Sequence, residues 1–407
     1  MIVEIKPSKA CGSIVAPPSK SMAHRALICG ALSEKSVIKN VDFSKDITAT
    51  IDCLKALGAT VKIVDNTVEI GGLKLENIPD NAILYSNESG STLRFLLPIC
   101  MACGKRVTLT GSERLFARPL DVYEGIAIEQ RILFEKTKNS VTVCGKLRSS
   151  EYIVLGNISS QFITGYMFGL PLLERNSTIT ITKPLESASY VNLTVACLAD
   201  FGVKVERKDS SFNANKTYYI KGSSVFENRE YMVEGDCSNA AFLEAFNYIG
   251  SKVEVLGLNS DTLQGDRVYK DIFEGLKSGK KEFDLSDCPD LAPVCFALAG
   301  VLGGAVFTGT KRLKIKESDR AEAMKQELSK LGIEVEVSQN SVLVKGGKLK
   351  PPVSIIDSHN DHRIAMALSL LLSIVGGKIK NAEAVSKSYP NFYKDLNRLG
   401  VDVNETY

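Results

Sequence analysis

Leu54–Val64 reads LKALGATVKIV. Leucines three residues apart followed by Gly58 mark the last apolar turn of a helix and its C-terminal glycine, and the stretch after it alternates with the period of a half-buried strand. The unit returns as LADFGVKVE from Leu198, LSKLGIEVEV from Leu328 and LNRLGVDV from Leu396. Weaker copies lie near Ile128–Val143, with the strand VTV, and near Ile272–Phe283. About six copies, three in each half of the chain, predict an α/β (α+β) fold of two lobes with three repeats each.

Two seams are expected. Pro17-Pro18 interrupts a strand near Ala16–Pro18, and a charged stretch near Glu227–Tyr231 precedes VEGDCSNAAF. If the first strand joins the second lobe, one lobe comprises residues 1–17 plus 230–407 and the other, inserted, residues 18–229. The chain then crosses twice between lobes, which makes a hinge, and a cleft between lobes is a preferred ligand site.

At 407 residues the chain exceeds one ordinary core. Its 44% apolar and 24% charged residues are ordinary for a globular protein. Fifty basic against 47 acidic residues leave +3, too little net charge to argue for nucleic acid or membrane, so any anion binding is local. No cationic segment leads into an apolar signal core, and the longest apolar runs, Leu291–Phe307 and Ile364–Val375, read as buried elements and not membrane spans. Ten cysteines in such a chain are expected as reduced thiols in a cytoplasmic protein. Cys100 and Cys103 form a CxxC with no second pair, inside an apolar helical run, so no metal site is expected there.

Pro17–Leu32, PPSKSMAHRALICGAL, delivers Ser19, Lys20 and Ser21 to a helix start, with Arg25 one turn on. Free backbone N–H groups, hydroxyls and two cations suit a phosphate or carboxylate, although a serine cap alone would explain the hydroxyls. The pattern recurs. Ser86–Arg94, SNESGSTLR, is a hydroxyl-rich turn around Gly90 opening a helix, and Arg118 sits in ARPLDVY beside a proline that restricts it. Ser159, Ser160 and Gln161 open the apolar helix SSQFITGYMF, more polar groups than one cap needs.

The second half is denser. Lys316, Glu317, Asp319 and Arg320 form KESDR, His359–Arg363 form HNDHR, and each stands before a helix; Lys387 lies in KSYPNF before a proline turn. Asp319, Asp361 and Asp290, the last in DCPDLAPV, all suit helix caps. Asp290 also suits a proton acceptor for a hydroxyl, and Glu317 a proton donor. HNDHR lacks the spacing of HExxH, and no GxxxxGK[ST] or GxGxxG is present. Lys20, Arg25, Arg118, Lys316, Arg320, Arg363 and Lys387, if gathered, call for a ligand with several anionic groups, because unpaired buried cations are costly.

PSKSMAHRAL, SGSTLR, ARPLD, SSQFITG, ESASY, EGDCSNAAF, CPDLAP, KIKESDR, NDHRIAM and KSYPNF follow in the order of one motif string, and the whole chain resembles the 3-phosphoshikimate 1-carboxyvinyltransferase (EPSP synthase) family. The resemblance implies two lobes, each an inside-out α/β barrel of three repeats, and transfer of the enolpyruvyl group of phosphoenolpyruvate to the 5-hydroxyl of shikimate 3-phosphate. It implies that Lys20, Ser21, Arg25, Ser159, Ser160, Gln161, Ser187, Tyr190, Asp290 and Lys316 contact shikimate 3-phosphate. Lys20, Gly90, Arg118, Gln161, Arg320, Arg363 and Lys387 would contact phosphoenolpyruvate. Asp290 is the expected base and Glu317 the expected acid, with Lys20 as its rival. No cofactor and no metal are expected, the partners are the two small substrates, and the chain is expected to be monomeric. Pro18, Ala188-Ser189 and Arg312 depart from the family pattern, which usually has Gly, Lys-Pro and Asn there.

Two rivals remain. The related UDP-N-acetylglucosamine enolpyruvyl transferases carry a cysteine in the loop that here reads GSERLFARP, and Lys-Asn where this chain has Lys20-Ser21. A noncatalytic phosphoanion or RNA binder would spread its basic residues along a stripe with stacking aromatics; here they sit beside acids, and the chain has no tryptophan.

Overall fold

The computed structural model describes residues 1–209 and 215–406. Contacts divide the chain into two compact units: Met1–Ser19 with Glu234–Tyr407, here the terminal unit, and Lys20–Val233, the inserted unit. Strand Glu230–Met232 pairs in parallel with Ser36–Lys39, so the inserted unit runs a few residues beyond 229.

The inserted unit holds three four-stranded sheets of one plan. Their spatial orders are Glu230–Met232, Ser36–Lys39, Thr67–Gly71, Thr60–Val64; then Ala82–Tyr85, Val107–Thr110, Ser140–Cys144, Leu133–Lys136; then Glu151–Leu155, Ser177–Thr182, Lys216–Ile220, Val205–Asp209. In each, the first pair is parallel and the rest antiparallel. Parallel neighbours need a crossover, and the helices supply it. They are α1 (Lys20–Leu32), α2 (Lys45–Ala56), α3 (Gly90–Cys103), α4 (Glu113–Phe116), α5 (Asp121–Glu129), α6 (Ser160–Gly169) and α7 (Ala188–Asp200).

Strand Ala82–Tyr85 buries alternate residues and exposes Ile83 and Tyr85, whereas α3 and α6 are buried on nearly every side. Helices apolar all round belong in an interior. They form the inside and the sheets the outside, the inverse of a barrel with strands at its centre. Among the described residues the three sheets stay separate around these helices, one sheet to each expected repeat.

The terminal unit repeats the plan twice in full. One sheet is Glu282–Asp284, Ala305–Thr308, Ser341–Val344, Val335–Val337; the other is Ile356–Asp357, Gly377–Lys380, Ile2–Ile5, Val403–Thr406, in which the N-terminal strand fills the third place. Its helices are α8 (Cys237–Glu244), α9 (Tyr269–Lys277), α10 (Ala292–Val301), α11 (Arg320–Lys330), α12 (His362–Val375) and α13 (Phe392–Arg398).

The remaining repeat is cut short. Cys11–Val15 and Lys252–Leu256 form a parallel pair with no hairpin beside it among the described residues, and residues 278–281 lead from α9 straight into Glu282–Asp284. The copy expected near Ile272–Phe283 is therefore a helix followed by the first strand of the next sheet. Asn247 covers the strand edge this leaves: its side chain donates to Val253 O at 2.8 Å and accepts from Val253 N at 2.7 Å. Asn397 does the same for Val403 on an outer strand, and satisfying edge groups in this way blocks unwanted strand pairing.

Each unit has its own apolar core. Among the described residues no helix is long and apolar enough to cross a membrane.

Candidate active site

In the inserted unit, five helix starts are gathered at one end. Lys20 Nζ meets Asp46 at 2.9 Å and His24 Nδ1 meets Thr50 Oγ1 at 2.8 Å, each pair 26 residues apart, so α1 and α2 run parallel in register. Thr50 continues to Thr92 at 2.6 Å, which ties α2 to the first turn of α3. Arg25 Nε donates to Thr194 Oγ1 at 2.9 Å, and Thr194 pairs with Thr164 at 2.9 Å, joining α1, α7 and α6. Backbone contact sets α3 against α6: a Cβ on Gly165 would stand 2.2 Å from Arg94 O, and one on Gly169 2.9 Å from Pro98 Cβ. The common spacing makes these helices parallel too. Their unsatisfied N–H groups and dipole ends add in one place, a field suited to anions.

The side chains follow from these starts. Ser89 caps α3 and Ser159 caps α6, so their hydroxyls serve the backbone. Ser160, Gln161, Gly90 and Ser91 lie in the first turns beyond the caps. Arg118 is 7% exposed, forms no ion pair among the described residues, and keeps its buried Nε without a hydrogen-bond partner. Its guanidinium lies against Gly90, where a Cβ would approach Nη1 to 2.7 Å. A buried cation without a counter-ion costs stability, and an anionic ligand would offset that cost.

Arg25 is differently placed. It donates to Ser21 O at 2.6 Å and Tyr190 O at 2.9 Å as well as to Thr194, so much of its hydrogen-bonding capacity already fastens α1 to α7. Burial is the main reason its pKa falls to about 10. Ser187 precedes α7 with φ of 58°, a left-handed conformation that costs a non-glycine residue on the order of 1 kcal/mol and recurs at ligand sites.

In the terminal unit the expected residues form one ion network. Asp290 lies in a short turn, Pro289–Leu291, ahead of α10. Its carboxylate accepts from Lys316 at 3.2 Å, Arg320 Nη1 at 2.7 Å and Arg363 Nη2 at 3.0 Å. Burial works to raise the Asp290 pKa, but Arg363, Lys316 and Arg320 prevail and hold it well below the usual carboxylate range. Burial pushes the Lys316 ammonium down, with Asp290 opposing.

Arg320 opens α11 and is 1% exposed. It also binds Glu317 at 2.7 Å and Asp361 at 2.8 Å, so it faces three carboxylates. Burial alone would lower its pKa; Asp361, Glu317 and Asp290 raise it instead. Arg363 opens α12 and donates to Ser238 Oγ at 2.5 Å. Lys387 Nζ donates to Asn360 O at 2.6 Å, next to Asp361 in the chain.

This corrects one expectation. Lys316, Arg320 and Arg363 do not depend on a ligand for neutralisation, because Asp290, Glu317 and Asp361 answer them. Asp361 caps α12, as read from the sequence, but also carries Arg320, a second duty the cap reading missed. Asp46, Arg94, Thr194 and Ser238 were missed as well. Arg94 stands inside SGSTLR and was visible as an arginine in an anion-binding motif; the others have partners too distant in sequence to signal themselves.

Among the described residues no group of three or more His, Cys, Asp or Glu is arranged to hold a metal, and all ten cysteines are free thiols. Cys103 Sγ lies 3.0 Å from Cys100 O within α3.

The sequence profile of EPSP synthase (3-phosphoshikimate 1-carboxyvinyltransferase) matches residues 5–396. The 3-phosphoshikimate 1-carboxyvinyltransferases of Clostridium novyi and Clostridium kluyveri are each 41% identical to the chain, covering 99% of it and 98% of the relative, and that of Clostridioides difficile is equally similar. Their alignments, 434 positions for C. novyi, are longer than the 407 residues here, so the relatives hold segments this chain lacks. An EPSP synthase structure from Acinetobacter baumannii shares the fold, with a TM-score of 0.76 at 21% identity over 99% of this chain and 100% of that one. Motifs, profile and relatives agree over almost the full length, and the chain belongs to the EPSP synthase family.

Proposed function

We propose that the chain transfers the enolpyruvyl group of phosphoenolpyruvate to the 5-hydroxyl of shikimate 3-phosphate, releasing phosphate, as its family membership implies. The observation that carries the reading to particular residues is Asp290, held by Lys316, Arg320 and Arg363 with Glu317 alongside: a carboxylate and an acid among the cations that anionic substrates require.

In the proposed course, a proton is added to the methylene carbon of phosphoenolpyruvate and makes the neighbouring carbon electrophilic. The 5-hydroxyl oxygen bonds to that carbon while Asp290 takes its proton. The tetrahedral adduct then returns a methyl proton to the group that donated the first one, the C–H electrons form the double bond of the enol ether, and phosphate leaves with the electrons of its carbon–oxygen bond. Glu317 is the proposed first proton donor; as the carboxylate partner of Arg320 it accepts through Oε2, so it must first take up a proton on Oε1 before passing it on. Lys20, paired with Asp46, is the rival. Holding two anions in reacting geometry can be worth up to about 7–11 kcal/mol.

Shikimate 3-phosphate is assigned to Lys20, Ser21, Arg25, Ser159, Ser160, Gln161, Ser187, Tyr190, Asp290 and Lys316. Phosphoenolpyruvate is assigned to Lys20, Gly90, Arg118, Gln161, Arg320, Arg363 and Lys387. Buried, uncompensated Arg118 supports the second assignment. That one reaction draws on residues of both units is part of the proposal, as is action by a cytoplasmic monomer without cofactor; free thiols accord with a reducing compartment. Phosphate release assayed with each substrate alone and with both decides the function. Release only with both is expected, and none with both would refute it.

A further inference from the structure

Arg94 has an unusual setting for a residue with no assigned role. It is 2% exposed on the second turn of α3, four residues before Pro98. Pro98 has no N–H, so the carbonyl of Arg94 loses its usual helical partner. Tyr123 Oη replaces it at 2.7 Å, and Gly165 of α6 leaves room for the contact. The Arg94 backbone is thus fixed from three sides.

Its side chain is fixed as closely. Nη1 donates to Gln161 Oε1 at 2.8 Å, Nη2 donates to Pro119 O at 2.9 Å, and the guanidinium carbon lies 5.2 Å from the Phe162 ring centroid. One group therefore joins the second turn of α3 and the first turn of α6 to the Arg118-Pro119 bend. The chemistry sets an orientation: guanidinium only donates, so the amide of Gln161 must turn its oxygen inward and leave Nε2, a donor, on the far side. Nε2 is found 3.1 Å from Ser91 Oγ, in the helix start that also holds Gly90.

We propose that Arg94 is a positioning residue for enolpyruvyl transfer, holding Gln161 with its N–H donors directed at the phosphoenolpyruvate anion. This rests on the reading of Gln161 as a phosphoenolpyruvate contact. Without Arg94 the amide turns freely, and half its orientations set an oxygen against an anion.

The test is a double-mutant cycle on the full chain, measuring KM for phosphoenolpyruvate and kcat in Arg94→Met, Gln161→Ala and the pair. Each single change is expected to raise that KM about tenfold, the size of one lost hydrogen bond to a charged group, with kcat reduced less. The pair should be no worse than the worse single variant. Arg94→Lys, which keeps a donor, should fall between wild type and Arg94→Met, and it stands in if Arg94→Met does not fold. A purely structural role would reduce the active fraction and leave KM alone, which overturns the proposal. So does a product of effects near a hundredfold in the pair. A Gln161→Ala variant with wild-type KM would refute the underlying contact, a failure distinguishable because it needs no Arg94 variant.

Discussion

The backbone of Gly90 carries the guanidinium of Arg118: a methyl group on Gly90 would stand 2.7 Å from Nη1 and 3.0 Å from Cζ. The only room for a side chain at this helix start is already taken by the cation from the neighbouring bend. A Gly90→Ala substitution must move Arg118, which is 7% exposed and has few alternative positions. A rise of about tenfold in KM for phosphoenolpyruvate is expected, with KM for shikimate 3-phosphate changed less than threefold. Equal rises in both constants would show that the substitution acts on the whole helix start instead.

Asp290 invites a second test, with a stability component that sequence reasoning did not foresee. Asp290→Ala should lower kcat by about 10²–10⁴, the contribution of a general base. It also strips Lys316 and Arg363 of their shared carboxylate, while Arg320 keeps Glu317 and Asp361. Breaking one partner from such a pair costs on the order of 3 kcal/mol, so the melting temperature should fall with the rate. Phosphate, by returning negative charge, should recover part of the stability and none of the rate. Near-native kcat would remove Asp290 from the chemistry.

The units of this fold were legible because their signals are local. A Leu-Gly helix end before an alternating strand needs no distant partner, and the helix ends at Leu57, Phe201, Leu331 and Leu399 all precede such strands or extended segments. The polar starts of α1, α3 and α6 were readable for the same reason. What was hidden is pairing over distance: Asp46 with Lys20, Thr194 with Arg25, Ser238 with Arg363. No spacing rule links Ser238 to a residue 125 positions away. The shortened repeat was hidden for a different reason: an absent hairpin leaves no residues to read, and Glu282–Asp284 resembles a repeat's own strand until its partner, Ala305–Thr308, is known.

Lys316 should govern the alkaline side of the pH–rate profile. Burial lowers its pKa, Asp290 opposes, and Arg320 and Arg312 lower it further. The sign is therefore downward from 10.5: as pH rises, the ammonium loses its proton earlier than an exposed lysine, and activity that needs the cation declines. Asp290, held well below 3.8, stays ionised through the mildly acid range and contributes no limb there. Measured as kcat/KM, which reports the free enzyme, the alkaline limb should move upward in Lys316→Arg. A limb unmoved by that change belongs to another group.

His24 makes the inserted unit sensitive to mild acid. It is 1% exposed behind the N-terminal turn of α1, with Nδ1 on Thr50 and Nε2 buried without a partner. Burial first, then Lys20 and Arg25, lower its pKa well below 6.5. Between the folded-state value and 6.5 the unfolded chain binds the extra proton, so stability is complete above pH 6.5 and is lost as pH falls, at up to about 1.4 kcal/mol per pH unit. Carboxylates add their own slopes, which a comparison with His24→Gln cancels. Urea unfolding at pH 7.5 and pH 5.5 should therefore show the wild type losing about 1 kcal/mol more than the variant. Parallel losses would mean that His24 accepts a proton in place, its buried nitrogen meeting a partner as it does so.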